Sequence, residues 1–236
     1  MAPGDAPVSP RPAPSSLAGR PFVCSWSGGK DSCLALHHAV QQGGKPRCLL
    51  NMLAEDSRTS RSHALPKELL EAQARALGVP IVFRSATWGE YESVFIDALR
   101  ELRADGIEAG VFGDIDIEPH RAWVERACGL AGLFPALPLW QRDHHALLGE
   151  FIALGYEATI VVLNGSMLAP EFLGRRIDPG TVAALVAAGA DAAGERGEYH
   201  TVVTGGPLFA APVALRVGGR HQREGYWFLD VEEARA

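Results

Sequence analysis

This 236-residue chain has no paired cysteine motif and no long apolar run. It has only four cysteines, and no two of them form a CxxC pair. A zinc-ribbon or redox motif is therefore unsupported, and reduced thiols are expected. The apolar stretch Ala158–Leu163, interrupted only by Thr159, falls far short of the roughly 20 residues needed to span a bilayer. Because the N-terminus also lacks an apolar signal core, we expect a cytoplasmic protein without membrane contact.

Positive charge is also scarce, with 22 Lys and Arg against 28 Asp and Glu and a formal net charge of −6. A surface that coats nucleic acid is therefore not expected, although a local phosphate site is not excluded. Hydrophobic residues make up 47% of the chain, which excludes disorder along its whole length. The length suits one large domain or two small ones.

The first twenty residues differ from the rest in composition. Residues 1–20 hold five of the 16 prolines and almost no large apolar side chain. Little there can offset the loss of chain entropy by burial, so we predict a disordered, Pro-rich tail over residues 1–20.

From Pro21 onward, short apolar runs alternate with amphipathic segments. The predicted strands are Pro21–Trp26, Arg47–Leu53, Pro80–Phe83 and Ile107–Phe112. The predicted helices are Lys30–Gln42, Leu65–Leu77, Glu90–Arg103 and Pro119–Leu130. This alternation favours an α/β fold with a Rossmann-like parallel sheet that is covered by helices on both faces.

A soft boundary near residue 140 precedes a second, smaller α/β domain. The predicted elements there are a helix at Asp143–Leu154, a strand at Ala158–Leu163 and a helix at Pro179–Ala188. The chain then ends in a predicted antiparallel hairpin, with strands Val213–Val217 and Glu224–Val231 and the turn placed at Gly218–Gly219. The free edge of this hairpin could pair with a second copy, so a homodimer is one expectation.

The strongest chemical signal is a Gly-rich loop that follows the first strand and opens the first helix. Its residues are Ser27, Gly28, Gly29, Lys30, Asp31 and Ser32. The glycines allow backbone N–H groups to approach phosphate oxygens, and the helix N-terminus and Lys30 add positive charge. Asp31 opposes a bare anion, so it either caps the helix or holds a magnesium ion. The alternative interpretation is a tight strand-to-helix turn with incidental polar residues.

This SGGKDS loop resembles the PP-loop of the ATP pyrophosphatase superfamily. The resemblance implies an adenine nucleotide alpha hydrolase-like (HUP) fold, the use of ATP and Mg²⁺, and cleavage of ATP between its α- and β-phosphates. The loop alone does not select the reaction, because the superfamily contains both amide-forming ligases and tRNA thiolation enzymes.

Further motifs narrow the resemblance. In chain order they are QARALGVP at 73–80, LWQRD at 139–143, LGR at 173–175, GERGEYHT at 194–201 and PLF at 207–209. Together they resemble the diphthine–ammonia ligase (diphthamide synthase) family over residues 21–215. The resemblance implies an ATP-binding domain over 21–140 and an acceptor-substrate domain over 141–236. It also implies adenylation of a substrate carboxylate with release of pyrophosphate, followed by transfer of ammonia and release of AMP.

The implied partners are ATP, ammonia and a carboxylate acceptor, which is the diphthine of elongation factor 2 if the source organism makes it. Besides the PP-loop residues, Gly113 and Arg121 are expected near ATP, and Asp31 is the expected metal ligand. Glu195 and Glu198 are candidates to hold ammonium and accept its protons. The expected acceptor-side residues are His63, Trp140, Arg142, Asp143, Arg175 and Thr201. For the Trp140–Asp143 segment, the alternative is a tryptophan packed at a domain seam beside a surface ion pair.

One region departs from the family pattern, and a second region has more than one possible role. Tyr199, His200 and Thr204 stand where the family usually has Phe, Glu and Asp, which leaves the identity of the acceptor open. After the fourth strand, an acidic loop contains Asp114, Asp116, Glu118 and His120. These side chains could bind a cation or select the substrate, but we favour capping of the next helix by Asp116 or Glu118.

Two alternative functions remain. One is sulfur transfer to tRNA, which needs an organised thiolate pair and a basic surface. The other is a non-catalytic adenine-nucleotide-binding protein, which would not need the polar segment Glu195–Thr201.

Overall fold

The computed structural model describes residues 16–234, and its first half contains a five-stranded parallel sheet. The strands are β1 (Pro21–Ser25), β2 (Lys45–Leu53), β3 (Ile81–Ser85), β4 (Ala109–Val111) and β5 (Phe134–Ala136). The helices between them are α1 (Lys30–Gln41), α2 (Lys67–Leu77), α3 (Tyr91–Ala104) and α4 (Glu118–Ala131). The strand order β3-β2-β1-β4-β5 confirms the predicted Rossmann-like sheet.

The central strands are buried on both faces, which explains their continuous apolar runs. On β2, Leu49 faces the core formed with α1 and α2, and its neighbour Leu50 faces the core formed with α3 and α4. Parallel sheets covered by helices on both sides produce this pattern in place of a strict polar–apolar alternation.

The second half is built on a four-stranded antiparallel sheet in the order β7-β6-β9-β8. Its elements are α5 (His144–Ala153), β6 (Glu157–Asn164), a 3₁₀ helix (Pro170–Phe172), α6 (Pro179–Ala187), β7 (Tyr199–Gly205), β8 (Leu215–Arg223) and β9 (Tyr226–Glu233). Strand β7 follows directly on the segment that the sequence presents as a Gly-rich loop. Strand β8 lies at the outer edge of the sheet, and its pairing with a second copy stays a prediction.

The terminal hairpin exists, but its predicted turn is wrong. The chain reverses at Glu224 and Gly225, which both have positive φ (52° and 83°), as a two-residue type I′ turn requires. The pair Gly218–Gly219 lies inside β8, where the register with β9 shifts. A glycine pair therefore marked an irregularity in a strand and not the end of one.

The described part of the predicted tail is packed against the domain. Leu17 is only 2% exposed and belongs to the main core, and Arg20 is also buried. The N–H of Gly19 donates to the carbonyl of Gly43 in the turn that precedes β2. The disorder prediction is therefore wrong for residues 17–20, while residues 1–15 lie outside the described part of the chain.

The two halves share the core on the α1 and α2 face of the first sheet, and a buried amide links them. Gln73 is fully buried, and its Nε2 donates to the carbonyls of Gly28 and Val203 at 2.9 and 2.7 Å. Its Oε1 accepts from the indole Nε1 of Trp26 at 3.0 Å. The loop after β1 is thereby fastened to both α2 and β7. Within residues 16–234, no helix is long and apolar enough to cross a membrane.

Candidate active site

A cavity of about 520 Å³ opens at the carboxyl ends of β1 and β4, where the strand order of the parallel sheet reverses. Open α/β sheets bind their ligands at this position. The second half supplies the opposite wall. The lining side chains and backbone include Ser27, Lys30, Asp31, Ser32, His63, Gly113, Asp114, Glu195, Arg196, Tyr199, His200 and Thr201.

The two loop glycines are needed for packing as well as for access to a ligand. Gly28 has a φ of +84°, and a Cβ there would lie 2.6 Å from the side chain of Leu65. A Cβ on Gly29 would lie 2.3 Å from the ring of His63 and 3.1 Å from the carbonyl oxygen of Thr201. Any side chain at residue 29 would therefore displace groups that line the cavity.

The start of α1 provides the cationic side of the cavity. Gly29 is the N-cap residue and offers no side-chain cap, and the N–H of Lys30 donates to Oγ1 of Thr201 at 3.1 Å. A Cβ on Gly113 would lie 2.8 Å from the backbone of Asp31 and Ser32, so the loop after β4 rests directly on this first turn. A helix N-terminus in this setting favours an anionic ligand.

Lys30 is held in place from several directions. Its Nζ donates to both carboxylate oxygens of Asp31 at 3.1 and 2.8 Å and to the carbonyl of Ala193, and it lies 5.0 Å from the ring centre of Tyr199. Burial lowers the pKa of Lys30, but the charge and hydrogen bond of Asp31, with smaller effects of Tyr199 and Glu195, together raise it more, so the pKa lies above its usual value. A buried, fixed ammonium therefore faces the cavity.

Glu195 is the acidic group of the second half that reaches the cavity. One of its oxygens accepts from the N–H of Ile115 at 3.2 Å, across the seam between the halves. Burial raises the pKa of Glu195 to about 7, and the nearby charge of Asp31 contributes to this rise. The carboxyl group therefore exchanges a proton near neutral pH, which suits a general base.

Glu198 has a different placement from the expected one. It is 1% exposed, and its two oxygens accept from the N–H groups of Asp191 and Arg196, each at 3.0 Å. It does not line the cavity. Its carboxylate is thus engaged in folding the Gly-rich segment, and this placement does not support contact with ammonium.

His63 and His200 form a neutral wall between the loop glycines and the second half. Their ring centres are 4.6 Å apart, and Nδ1 of His63 lies 2.8 Å from the carbonyl oxygen of Thr201. Burial lowers the pKa of His63 to about 4, and burial followed by the charge of His63 lowers that of His200 well below its usual value. The predicted residues His63 and Thr201 therefore both reach the cavity.

The LWQRD segment lies outside the lining and has structural contacts. Arg142 donates to Glu150 at 2.7 Å and lies 2.8 Å from Nε2 of His38. Asp143 caps α5 by accepting the N–H of Ala146 at 2.8 Å. The structure therefore does not bring Arg142 or Asp143 to the cavity.

Three other predicted side chains are also kept apart from the cavity. The guanidinium of Arg121 lies 5.4 Å from the ring centre of Trp140 and is bonded to Glu125 at 2.8 Å. Arg175 lies over the ring of Phe172 at 4.7 Å. The two arginines thus have partners near them in sequence or at the domain seam, whereas the buried Nε1 of Trp140 has no hydrogen-bond partner within the described residues.

The acidic loop after β4 does not cap the following helix, contrary to expectation. The N-cap of α4 is Ile117, which makes no side-chain cap. Asp114 pairs with His120 at 3.4 Å, and Asp116 pairs with His144 at 3.3 Å. The second contact could not be predicted from local sequence patterns, because its partners belong to different halves.

The donor set suits a magnesium ion held largely by phosphate. Among residues 16–234, no three or more His, Cys, Asp or Glu side chains are arranged so that they could hold a metal ion by themselves. Asp31 lines the cavity, and its carboxylate has Lys30 as a neighbour. Magnesium usually binds one or two carboxylates and completes its shell with phosphate and water. Asp31 therefore fits a nucleotide-bound magnesium ion.

A smaller cavity of about 70 Å³ adjoins the first and shares Ser27 and His63 with it. Asn51 lines this cavity and is 3% exposed. Its Nδ2 donates to the carbonyl of Trp26 at 2.7 Å, but its Oδ1 has no partner within the described residues. Such a buried acceptor suits an amino or hydroxyl group of a ligand. A polar residue inside the buried run of β2 was the signal in the sequence.

The cysteines offer no reactive thiolate. All four are buried and unpaired, and none lines the main cavity. Burial raises the pKa of Cys24, Cys33, Cys48 and Cys128, the last to about 12. Sulfur transfer through a thiolate therefore has no support in this site.

A Gly-rich loop at the reversal point of a parallel sheet, opening a helix beside a fixed lysine, defines the class of PP-loop α/β proteins. Sequence comparison identifies the family. The profile of the diphthamide synthase N-terminal domain matches residues 21–135, and that of the diphthamide synthase C-terminal domain matches residues 143–235. The chain therefore belongs to the diphthamide synthase family.

Similar curated proteins carry the name diphthine–ammonia ligase. The protein of Rattus norvegicus is 27% identical over 242 residues, which covers 84% of this chain and 91% of the relative. That of Danio rerio is 27% identical over 219 residues, covering 80% and 84%. The human protein is 26% identical over 214 residues and 80% of each chain.

Proposed function

We propose that the protein is an ATP-dependent ligase that adenylates a carboxylate and transfers ammonia to it, forming a primary amide. One observation carries the proposal: a fixed lysine at a helix N-terminus and a carboxyl group with a pKa near 7 line the same cavity from opposite halves. The family assignment and the name of its curated relatives support this reaction class.

In the first step, an oxygen of the acceptor carboxylate attacks the α-phosphorus of ATP. The bond from that phosphorus to the bridging oxygen breaks, and pyrophosphate leaves with the electron pair. Lys30 and the N-terminus of α1 would stabilise the negative charge that builds on the departing group. A magnesium ion bound to the nucleotide and Asp31 would add further charge neutralisation. The orphan Oδ1 of Asn51 would accept a hydrogen bond from the nucleoside.

In the second step, ammonia attacks the carbonyl carbon of the acyl-adenylate, and AMP leaves with the original carboxylate oxygen. Glu195 in its ionised form would take a proton from ammonium or from the attacking nitrogen. Its pKa near 7 allows the group to accept that proton and to lose it again to solvent. The neutral rings of His63 and His200 would line the route of the ammonia without adding a positive charge that would compete with ammonium.

The acceptor is a carboxylic acid, and the name of the relatives supplies diphthine as the first candidate. Tyr199 and His200 line the cavity on this side. His200 stands where the family pattern has a glutamate, so this wall carries less negative charge and other carboxylic acids belong in the same test.

Product analysis tests the proposal directly. Purified protein is incubated with ATP, Mg²⁺, ammonium chloride and a panel of carboxylic acids that includes diphthine-containing elongation factor 2. We expect equimolar AMP, pyrophosphate and amide. The variant Lys30→Ala should abolish turnover, and Lys67→Ala should retain it because that lysine lies on the outside of α2. Formation of ADP, or no turnover with any acid, would contradict the proposal.

The role of Glu195 is separable from ATP binding. Glu195→Gln should leave the affinity for ATP nearly unchanged and lower the rate of amide formation by about 10²-fold or more. The matched control is Glu171→Gln, which alters an exposed carboxylate outside the cavity. Equal turnover of the two variants would remove Glu195 from the mechanism.

A further inference from the structure

His144 connects two loops from different halves of the protein. Its Nδ1 lies 2.7 Å from Oδ2 of Asp191, in the segment that precedes β7. Its Nε2 lies 3.3 Å from Oδ2 of Asp116, in the loop that follows β4. Both ring nitrogens therefore face carboxylates, which is the arrangement that the doubly protonated ring satisfies.

Asp191 extends this connection toward the cavity. Its other oxygen, Oδ1, accepts from the N–H of Ala193 at 2.9 Å and from the N–H of Glu195 at 3.4 Å. The carbonyl of Ala193 in turn accepts from Nζ of Lys30. The carboxylate of Asp191 therefore holds the backbone of two residues. One is Ala193, whose carbonyl contacts Lys30, and the other is Glu195, whose side chain lines the cavity.

The charges around His144 favour this arrangement. Burial is the largest single influence and lowers the pKa of His144, but the bond to Asp191 and the charges of Asp191, Asp116 and Glu195 together raise the pKa above its usual value. The ring is mostly enclosed, at 18% side-chain exposure. By contrast, the neighbouring His145 is exposed and lies outside the contacts described above.

We infer that His144 is a positioning residue for the ligase reaction: by holding Asp191 against the loop after β4, it aims Glu195 and supports Lys30. The inference rests on the proposed function for its catalytic consequence. The contacts themselves are independent of that function. No contact of His144 with a substrate is required, because its effect passes through the backbone at Ala193 and Glu195.

The structural part of the inference is tested by amide hydrogen exchange of the segment 189–198. His144→Ala should speed the exchange of this segment, since Asp191 loses its partner, and His145→Ala should not. This measurement needs no turnover, so it remains decisive even if the protein forms no amide. Equal exchange in both variants would overturn the inference.

The catalytic part is tested by a double-mutant cycle with the full chain. His144→Ala should lower kcat for amide formation by about tenfold, because small errors in placement are costly, with little change in the KM for ATP. In the Glu195→Gln background, the same substitution should have a clearly smaller effect, because only the support of Lys30 through Ala193 is then left to lose. An undiminished effect in that background would show general damage and would contradict the proposed route through Glu195.

Discussion

Gln73 makes hydrogen bonds to three buried groups outside the cavity. In Gln73→Leu, the indole of Trp26 would lose its acceptor and the carbonyls of Gly28 and Val203 would each lose a donor, although the N–H of Val203 still donates to Gly28. Each buried group that is left unpaired costs about 1–3 kcal/mol. We therefore expect the free energy of unfolding to fall by about 2 kcal/mol or more in urea titrations.

The matched control for this variant is Gln222→Leu. Gln222 lies on the exposed strand β8, and substitutions of this kind usually change stability by less than about 0.5 kcal/mol. A loss at Gln73 no larger than that at Gln222 would show that the three groups find other partners.

Glu195 predicts a characteristic pH dependence. Because its pKa is about 7, the ionised base becomes available as the pH rises through 7, and amide formation should increase over that range. The pKa of Glu in an unfolded chain is about 4.3. The folded state therefore binds an extra proton between these values, and the stability that this proton contributes is lost as the pH rises toward 7.

Thermal unfolding of the wild type and Glu195→Gln from pH 4 to pH 8 tests this assignment. The variant should lose the pH-dependent rise in amide formation, and its Tm relative to the wild type should increase as the pH rises. Parallel Tm curves would show that the pKa of Glu195 is not raised in the folded protein.

Residue type predicted the side chains that line the cavity better than it predicted the role of the side chains around it. Lys30, Asp31, His63, Glu195 and Thr201 were all expected at the site, and all line the cavity. The remaining residues of the LWQRD and LGR motifs do not. The side chains of Arg142, Asp143 and Arg175 are engaged by other protein groups, and residue type alone does not distinguish such a structural contact from a ligand contact.

At the scale of elements, Asp143 at the start of α5 allows a helix-capping role to be distinguished from a substrate-binding role. Asp143→Ala removes the acceptor for the N–H of Ala146 and should lower stability by about 1 kcal/mol. The affinity for ATP should not change, because Asp143 lies outside the cavity lining. The control Asp97→Ala removes an exposed carboxylate on α3 that caps no helix. Weakened ATP binding in the Asp143 variant alone would show that Asp143 does influence the cavity.

A second prediction compares a crowded glycine at the start of α1 with an uncrowded glycine in α5. Gly29→Ala should lower both stability and ATP affinity, since its Cβ would meet His63 and the Thr201 carbonyl. Gly149→Ala, in the middle of α5 with no atom within 4 Å of the added carbon, should stabilise the protein by about 0.5–1 kcal/mol. Calorimetry and ATP titration check both variants, and an unaltered ATP affinity in Gly29→Ala would count against the loop's tight fit.

Local patterns predicted the four helices of the first half and four of its five strands, because each of these elements shows a periodicity over a short stretch of sequence. The terminal hairpin was harder. A Gly-Gly pair is a common turn signal, but here the positive φ values fall at Glu224 and Gly225. Strand β7 was missed because it follows directly on a Gly-rich segment, and only pairing with β6 defines it.

At the scale of the whole molecule, the fold class could be predicted from the sequence, but the contacts between the two halves could not. Alternating elements indicate a parallel sheet without any knowledge of long-range contacts. The contacts that assemble the cavity join distant positions, such as Gln73 with Val203 and His144 with Asp116. No local pattern encodes these pairs, so the geometry of the site required the three-dimensional structure.

The shared core predicts that the two halves unfold together. Leu49 in the first sheet and Val203 in the second belong to one continuous cluster, with Gln73 bonded across it. Loss of either half would expose that cluster, so calorimetry should show a single two-state transition. A saturating ATP analogue at 100 times its Kd should stabilise the whole transition by about 2.7 kcal/mol. Two resolved transitions, or a shift of only one of them, would contradict a cavity built jointly by both halves.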